Sequence, residues 1–187
     1  MNAKNVSASS PKVGGAIHVA QIGTALPEDA VSNLDEAFKE LGYIADTGVT
    51  NSNTPSMTDI KAWGGDIVQS SLSEKPDKFS FKLLEGLNID VLKTIYGEEN
   101  VTEITVGELD NAHKEIKIAA KAKLPDDYSW VVDMILNDDK IKRIVIPTAK
   151  ITNLADIVYT NTNAFGYDIT LSAYPNALGD THYEYIR

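Results

Sequence analysis

Three histidines, His18, His113 and His182, are the candidate general bases and metal ligands, and no short ligand spacing joins any two of them. They fall in a predicted strand, a turn and the C-terminal tail, which fits surface or satisfied histidines, although carboxylates distant in sequence could meet one of them in the fold. Two acid pairs, Asp126-Asp127 and Asp138-Asp139, are of the type a glycosidase or a metal site uses. Both sit where turns are predicted, and Asp is favoured in turns because its carboxylate bonds the nearby backbone. Asp-x-Asp calcium-loop spacing is absent. Gly64-Gly65 lacks the GxxxxGK spacing of a phosphate loop and has no strand-to-helix crossover around it, so it reads as flexible or bulged β-structure. No serine lies in a Gly-x-Ser-x-Gly elbow. The chain has no cysteine, which excludes disulfides, thiolate nucleophiles, iron–sulfur clusters and cysteine zinc sites. These residues compose no catalytic constellation, and neither enzyme activity nor a cofactor or metal is expected.

Charge narrows the classes further. The 17 basic and 27 acidic side chains give a net charge of −10. A surface that grips nucleic acid needs clustered Lys and Arg to displace counterions, and the balance here runs the other way. Lys114, Lys117, Lys121 and Lys123 form the one basic stripe, but Ala119 stands where a nucleic-acid platform would want an aromatic, so they read as a solvated sheet face. The acids gather in two stretches. Glu28, Asp29, Asp35, Glu36, Glu40 and Asp46 face Lys39 alone, and Glu98, Glu99, Glu103, Glu108 and Asp110 face no base. They read as solubility or as a surface built not to stick to a polyanion. No stretch approaches the ~20 apolar residues of a membrane helix. The N-terminus lacks the apolar centre of a secretory signal, so folding in the cytosol is expected.

The elements that position these residues follow from periodicity. With 187 residues, 43% of them apolar, the chain suits one ordinary domain with an appendage. Residues 1–15, with Pro11, Gly14 and Gly15, read as a flexible N-terminal arm. Residues 16–22 predict a strand. Ser32 as cap, Leu34, Phe38 and Leu41 on one face, and Gly42 at C′ predict a short helix. Residues 46–75 are polar and turn-rich, with strand-like 59–63 and 66–70 flanking Gly64-Gly65. Such an insertion in a small domain is usually functional. Drawn out as a two-stranded arm, it reaches roughly 40–50 Å at about 3.3 Å per residue.

Beyond the arm the pattern is regular. Phe79, Phe81 and Leu83 alternate in a half-buried strand, and Asn88 caps a helix striped by Ile89, Leu92, Ile95 and Tyr96 and ended by Gly97. Strands are predicted at 101–106 and where Ile116, Ile118, Ala120 and Ala122 alternate with lysines. Tyr128, Trp130, Val132, Met134 and Leu136 make the clearest strand, turned by Asn137-Asp138-Asp139-Lys140 into 141–146. Residues 150–159 and 165–174 predict a hairpin about residues 160–163, and Tyr183 and Tyr185 sit in a short tail. The fold class is mainly β: an antiparallel β-sandwich or barrel with a flanking α-helix and a long protruding hairpin arm, its single domain spanning 16–187.

Several blocks then resemble a known family. Leu41-Gly42-Tyr43-Ile44, the run Gly48 to Ser56, Ile60-Lys61-Ala62-Trp63-Gly64-Gly65-Asp66, the run Glu85 to Lys93, Ser129-Trp130-Val131-Val132-Asp133-Met134, Lys142-Arg143-Ile144-Val145-Ile146-Pro147 and Thr181-His182-Tyr183-Glu184-Tyr185 occur in the expected order over most of the chain. They are similar to the major tail (tail tube) protein of long-tailed, non-contractile bacteriophages. That resemblance implies a structural virion protein whose six copies form a ring, the inner sheets joining edge to edge into a β-barrel. Stacked rings make a tube that delivers DNA into the host. A long loop reaches the next ring, and residues 46–75 match it; the N-terminal arm orders on assembly. The implied partners are further copies of the chain, a tail-tip or baseplate initiator, the tape measure protein and the tail terminator. Genomic DNA passes through without specific binding, no membrane is involved, and the tail is assembled in the host cytoplasm.

Physical chemistry fits that implication. Unpaired sheet edges are a hazard in a monomer and a joining device in a ring, and anionic walls repel phosphates, so acidic side chains are expected to dominate the channel wall. The self-association candidates are Asn51, Ser52, Asn53, Pro55, Ile60, Trp63, Gly64 and Gly65, with Trp63 read either as a contact residue or as a core aromatic at the base of the arm. A competing reading is a monomeric β-sandwich module binding carbohydrate or a receptor on a tail tip or cell surface, with Trp63, Trp130 and Tyr128 as its aromatics. A hydrolase using the paired acids is the third.

Overall fold

The computed structural model describes all residues except 3–4, 13–14 and 108–111. Gly14, Glu108 and Asp110, which the sequence reading assigns to the N-terminal arm and the second acidic stretch, lie outside the described residues. Along the chain run β1 (Ser9–Pro11), β2 (Ile17–Gln21), β3 (Lys39–Glu40), β4 (Thr50–Ser52), β5 (Ser56–Lys61), β6 (Ile67–Glu74) and β7 (Asp77–Leu83). After α1 (Ile89–Tyr96) come β8 (Val101–Val106), β9 (His113–Ile118), β10 (Tyr128–Leu136), β11 (Ile141–Leu154), β12 (Tyr167–Ala173) and β13 (Tyr183–Ile186).

Nine strands pair antiparallel in the order β3-β2-β10-β11-β12-β7-β4. β1 lies beside β10 beyond the end of β2, and β13 lies beside β11 beyond the end of β12. The 14-residue β11 ties the layers together, because its first half pairs with β10 and its second half with β12. Inward side chains at period two (Ile17 and Val19; Trp130 and Val132; Ile144 and Ile146; Phe79, Phe81 and Leu83; Ile169 and Leu171) meet Val91, Leu92 and Ile95 of α1 in one core. Trp130 at its centre is 0% exposed, so it and the buried Tyr128 serve the core and are closed to a ligand. The result is the expected antiparallel sandwich with one helix.

Both faces of β10 and β11 are covered. On the outer face Val131 and Val145 join Ala20 and Phe38, with Leu26, Leu34, Tyr183 and Tyr185 packed against them. Two expectations fail here for one reason. Residues 32–41 form no helix: Asp35 accepts the Ala37 amide at 2.9 Å, and the chain then pairs with β2 through Lys39 and Glu40. Phe38 and Leu41, three apart, fall on opposite sides of an extended chain, so Phe38 enters the outer cluster and Leu41 the main core. A helical stripe would bury both on one side. Gly42 instead meets a packing demand, since at φ 71° an added Cβ would run into the Glu85 carboxylate. Tyr183 and Tyr185, expected in a tail, belong to β13, whose pairing with β11 puts them over the same outer cluster.

Other boundaries shift less. The strand expected at 150–159 is the end of β11 and stops at Leu154, and the lysine-bearing strand stops at Ile118. Within residues 1–15, read as a flexible arm, Ser9–Pro11 pair with Met134–Leu136 as an exposed strand.

Candidate functional site

The polar residues first considered for chemistry are dispersed by the fold. His18 lies in β2, and burial lowers its pKa from the ordinary 6.5 against the opposing charges of Asp133 and Glu40. His113 pairs with Glu115 on the exposed β9, at 2.9 Å. Asp126 and Asp127 sit 3.4 Å from Lys123 and 3.3 Å from Lys150. Asp138 and Asp139 adopt φ of 61° and 56° in the turn between β10 and β11, the backbone role expected of them. Among the described residues no group of three or more His, Asp or Glu is arranged to hold a metal ion.

On the outer face one charged pair is fully enclosed. Asp133 and Arg143, cross-strand partners each 1% exposed, bond bidentately at 2.6 and 2.8 Å. Arg143 also donates to the Ser32 and Asp29 carbonyls at 2.8 and 3.2 Å, and Lys12 lies 3.3 Å from Asp133. Burial pushes the Asp133 carboxyl up, but the bonds and charge of Arg143, aided by Lys12, outweigh it and hold it below the usual range. These groups line a cavity of about 350 Å³ with His18 and residues of the 32–36 loop. Four of the five N–H groups of that guanidinium are taken by its own chain, so its work is to pin that loop over β10.

The arm is the feature that stands apart. β5 and β6 pair only with each other, and all their residues are exposed. Its tip is closed by Ala62 donating to the Asp66 carbonyl at 2.8 Å and Gly65 donating back to Ala62 at 2.9 Å, with Gly65 at φ 95°. Trp63 sits in that turn with its side chain wholly in solvent, 106% exposed, which excludes its reading as a core aromatic at the base of the arm. Met57, Ile60, Ile67, Val68 and Leu72 are exposed along the same hairpin. Six large apolar side chains thus stand in solvent on an element with no core of its own.

The eight self-association candidates divide accordingly. Ile60, Trp63, Gly64 and Gly65 ride on the hairpin, and Asn53 and Pro55 lie in the exposed link to it. Asn51 and Ser52 do not leave the domain; they form β4 with Thr50 and pair with Phe79 and Lys78 of β7. Asn51 Nδ2 donates to Asp77 Oδ1 at 2.7 Å, and Thr181 Oγ1 donates to Asp77 Oδ2 at 2.6 Å, beside His182 Nδ1 at 2.5 Å. Burial raises the Asp77 pKa, but the bonds from Thr181, Asn51 and His182 and the His182 charge together hold it below the ordinary value.

Sequence reasoning missed this root. Asp77 resembles any residue before a strand, and its donors lie 26 and 104 or more positions away. The one signal was that Thr181-His182 opens a block of the family resemblance. It also missed that β8 and β9 pair only with each other in a second hairpin, rooted by the buried Val101 in the main core, with Ile104, Val106, Ile116 and Ile118 about 36–39% exposed. Beyond Val101, Ile104 opposes Glu115 and Ile116 opposes Glu103, so neither face of the outer part of that hairpin is apolar enough to be core.

No curated protein matches the chain. A family profile described as phage tail tube protein matches residues 2–187. With that match spanning nearly the whole length, on a mainly antiparallel β fold with one helix and a projecting hairpin, the chain belongs to the phage tail tube protein family and is a structural component of the phage tail.

Proposed function

We propose that six copies of the chain join into a ring, that rings stack into the tail tube of a non-contractile phage, and that the tube is the channel for DNA delivery. The observation that carries the reading is the freestanding β5–β6 hairpin with Trp63 at its tip. A domain that works alone gains nothing from exposing six large apolar side chains on a two-stranded arm, whereas a neighbouring ring gives them a surface on which to be buried. The hairpin is the projecting part of the inter-ring arm of residues 46–75, which belongs to one domain over 16–187, and residues 1–15 are an N-terminal arm that becomes fully ordered on assembly. Asn51 and Ser52 serve at the root of the arm; Asn53, Pro55, Ile60, Trp63, Gly64 and Gly65 meet the next copy. The initiator at the tail tip, the tape measure protein and the terminator are the further partners, and assembly takes place in the host cytoplasm.

Ser56 and Glu74 are register partners, so the hairpin can be excised and the two joined by a short turn. The expected product has the same thermal midpoint as the full chain and keeps an antiparallel-β circular dichroism reduced only by the lost hairpin, but forms no tubes by light scattering and negative-stain imaging. Tubes of normal length from the excised protein would remove the arm from the stacking interface.

A further inference from the structure

Thr181 and His182 lie far from the exposed hairpin, yet both end on the carboxylate at its root. Asp77 opens β7 just after the outgoing limb of the arm and is 7% exposed. Asn51 reaches the same carboxylate from β4, on the incoming limb, at 2.7 Å. Thr181 Oγ1 and His182 Nδ1 close on its other oxygen at 2.6 and 2.5 Å. The His182 ring is held edge-on against the core residue Phe79, with centroids 5.3 Å apart, and β13 begins at the next residue and pairs with β11. The C-terminal segment is thereby fastened to the body on one side and to both limbs of the arm on the other.

We propose that Asp77, Thr181 and His182 act as positioning residues for assembly, a clamp that fixes the direction in which the hairpin leaves the sheet. β4 cannot do this alone: it is a three-residue edge strand, exposed throughout, with one ladder partner. Direction matters because the hairpin is a lever. Over about eight residues at 3.3 Å each, a roughly 10° turn at the root moves the tip by about 5 Å, enough to take Trp63 out of a matching recess. A clamped arm is offered to a second copy already ordered, so less freedom is lost on docking. The occupant of the arm rests on the tube reading; the clamp itself does not.

The test uses the full-length chain with the pair Thr181→Val and His182→Phe, which removes both donors and keeps the ring against Phe79. Amide exchange at Thr50–Ser52 is expected to speed by about tenfold while β10 and β11 keep their protection. The protein concentration at which tubes appear should rise severalfold. Thr181→Ser alone should behave as the parent in both measurements. If the double variant does not fold, Asn51→Ala, at an exposed position, removes the arm-side donor and carries the same two expectations. Unchanged exchange at β4 with unchanged assembly would overturn the clamp. So would a uniform acceleration through β10 and β11, which would make these bonds general stabilisers. Should the parent chain form no tubes without its initiator, exchange at β4 alone decides the clamp.

Discussion

A carboxylate taken out of water needs donors, and this chain meets that need twice in different ways. Asp133 takes a guanidinium and belongs to a packed face; Asp77 takes three separate side chains and belongs to a junction. His18 is the opposite case, a base whose burial favours the neutral form. The signs fix how stability depends on pH. The unfolded His18 protonates near 6.5 while the folded one resists, so its contribution is whole above that value and declines as the pH falls below it. Asp77 and Asp133 are held below the ordinary 3.8, so theirs is whole above that value and is lost only as the pH falls through their lower native values. Urea unfolding across this range is therefore expected to show two declines. His18→Gln should flatten the one below about 6.5 and leave the acid limb in place; a first decline that survives the substitution would belong to another group.

Elements were legible where a single period ruled the burial. β7, β12 and α1 each present one stripe to one core, and Asn88 caps α1 as its residue type predicts, accepting the Asp90 amide at 3.0 Å. Residues 32–41 were not legible, because Leu34, Phe38 and Leu41 spell a helical stripe while the sheet offers apolar surface on both sides. Local spacing cannot tell one acceptor face from two, and Asp29 and Asp35 supplied turns that compete with a helix. β13 failed similarly: four residues lack a period of their own, and only β11 makes them a strand. The arm was read correctly as an extended hairpin, since Gly64-Gly65 between strand-like runs is a local signal, but its anchoring is not local. The helix gives the cleaner quantitative check. Asn88→Ala should lower stability by about 1 kcal/mol, seen as a lower urea midpoint with an unchanged slope. A changed slope would mean that α1 separates from the sheet before the rest unfolds.

At the scale of the whole molecule, the proposed tube would set a protein of net charge −10 as the wall past which a polyanion moves. The number of copies and the surface turned inward were not legible in the sequence, because they depend on how rigid bodies meet, and periodicity reports only what each body buries. Charge is still a constraint. Glu28, Glu36 and Glu40 are exposed and make no ion pair among the described residues, while Lys114 and Lys123, two of the four lysines of the basic stripe, are offset by Glu103 and Asp126. Over the molecule as a whole, 27 acidic side chains stand against 17 basic ones. Duplex DNA carries one phosphate per about 1.7 Å of axis, so even sparse lysines in a lumen would hold it in a strongly salt-dependent way. Assembled tubes are accordingly expected to carry no duplex fragment with them on sedimentation at low ionic strength, where any such attraction is greatest. Retention that disappears on adding salt, and that is abolished by reversing Lys117 and Lys121 to Glu, would place the basic stripe on the wall and refute an acidic conduit. Absence of retention from tubes that do form would be the outcome expected of the proposed acidic conduit.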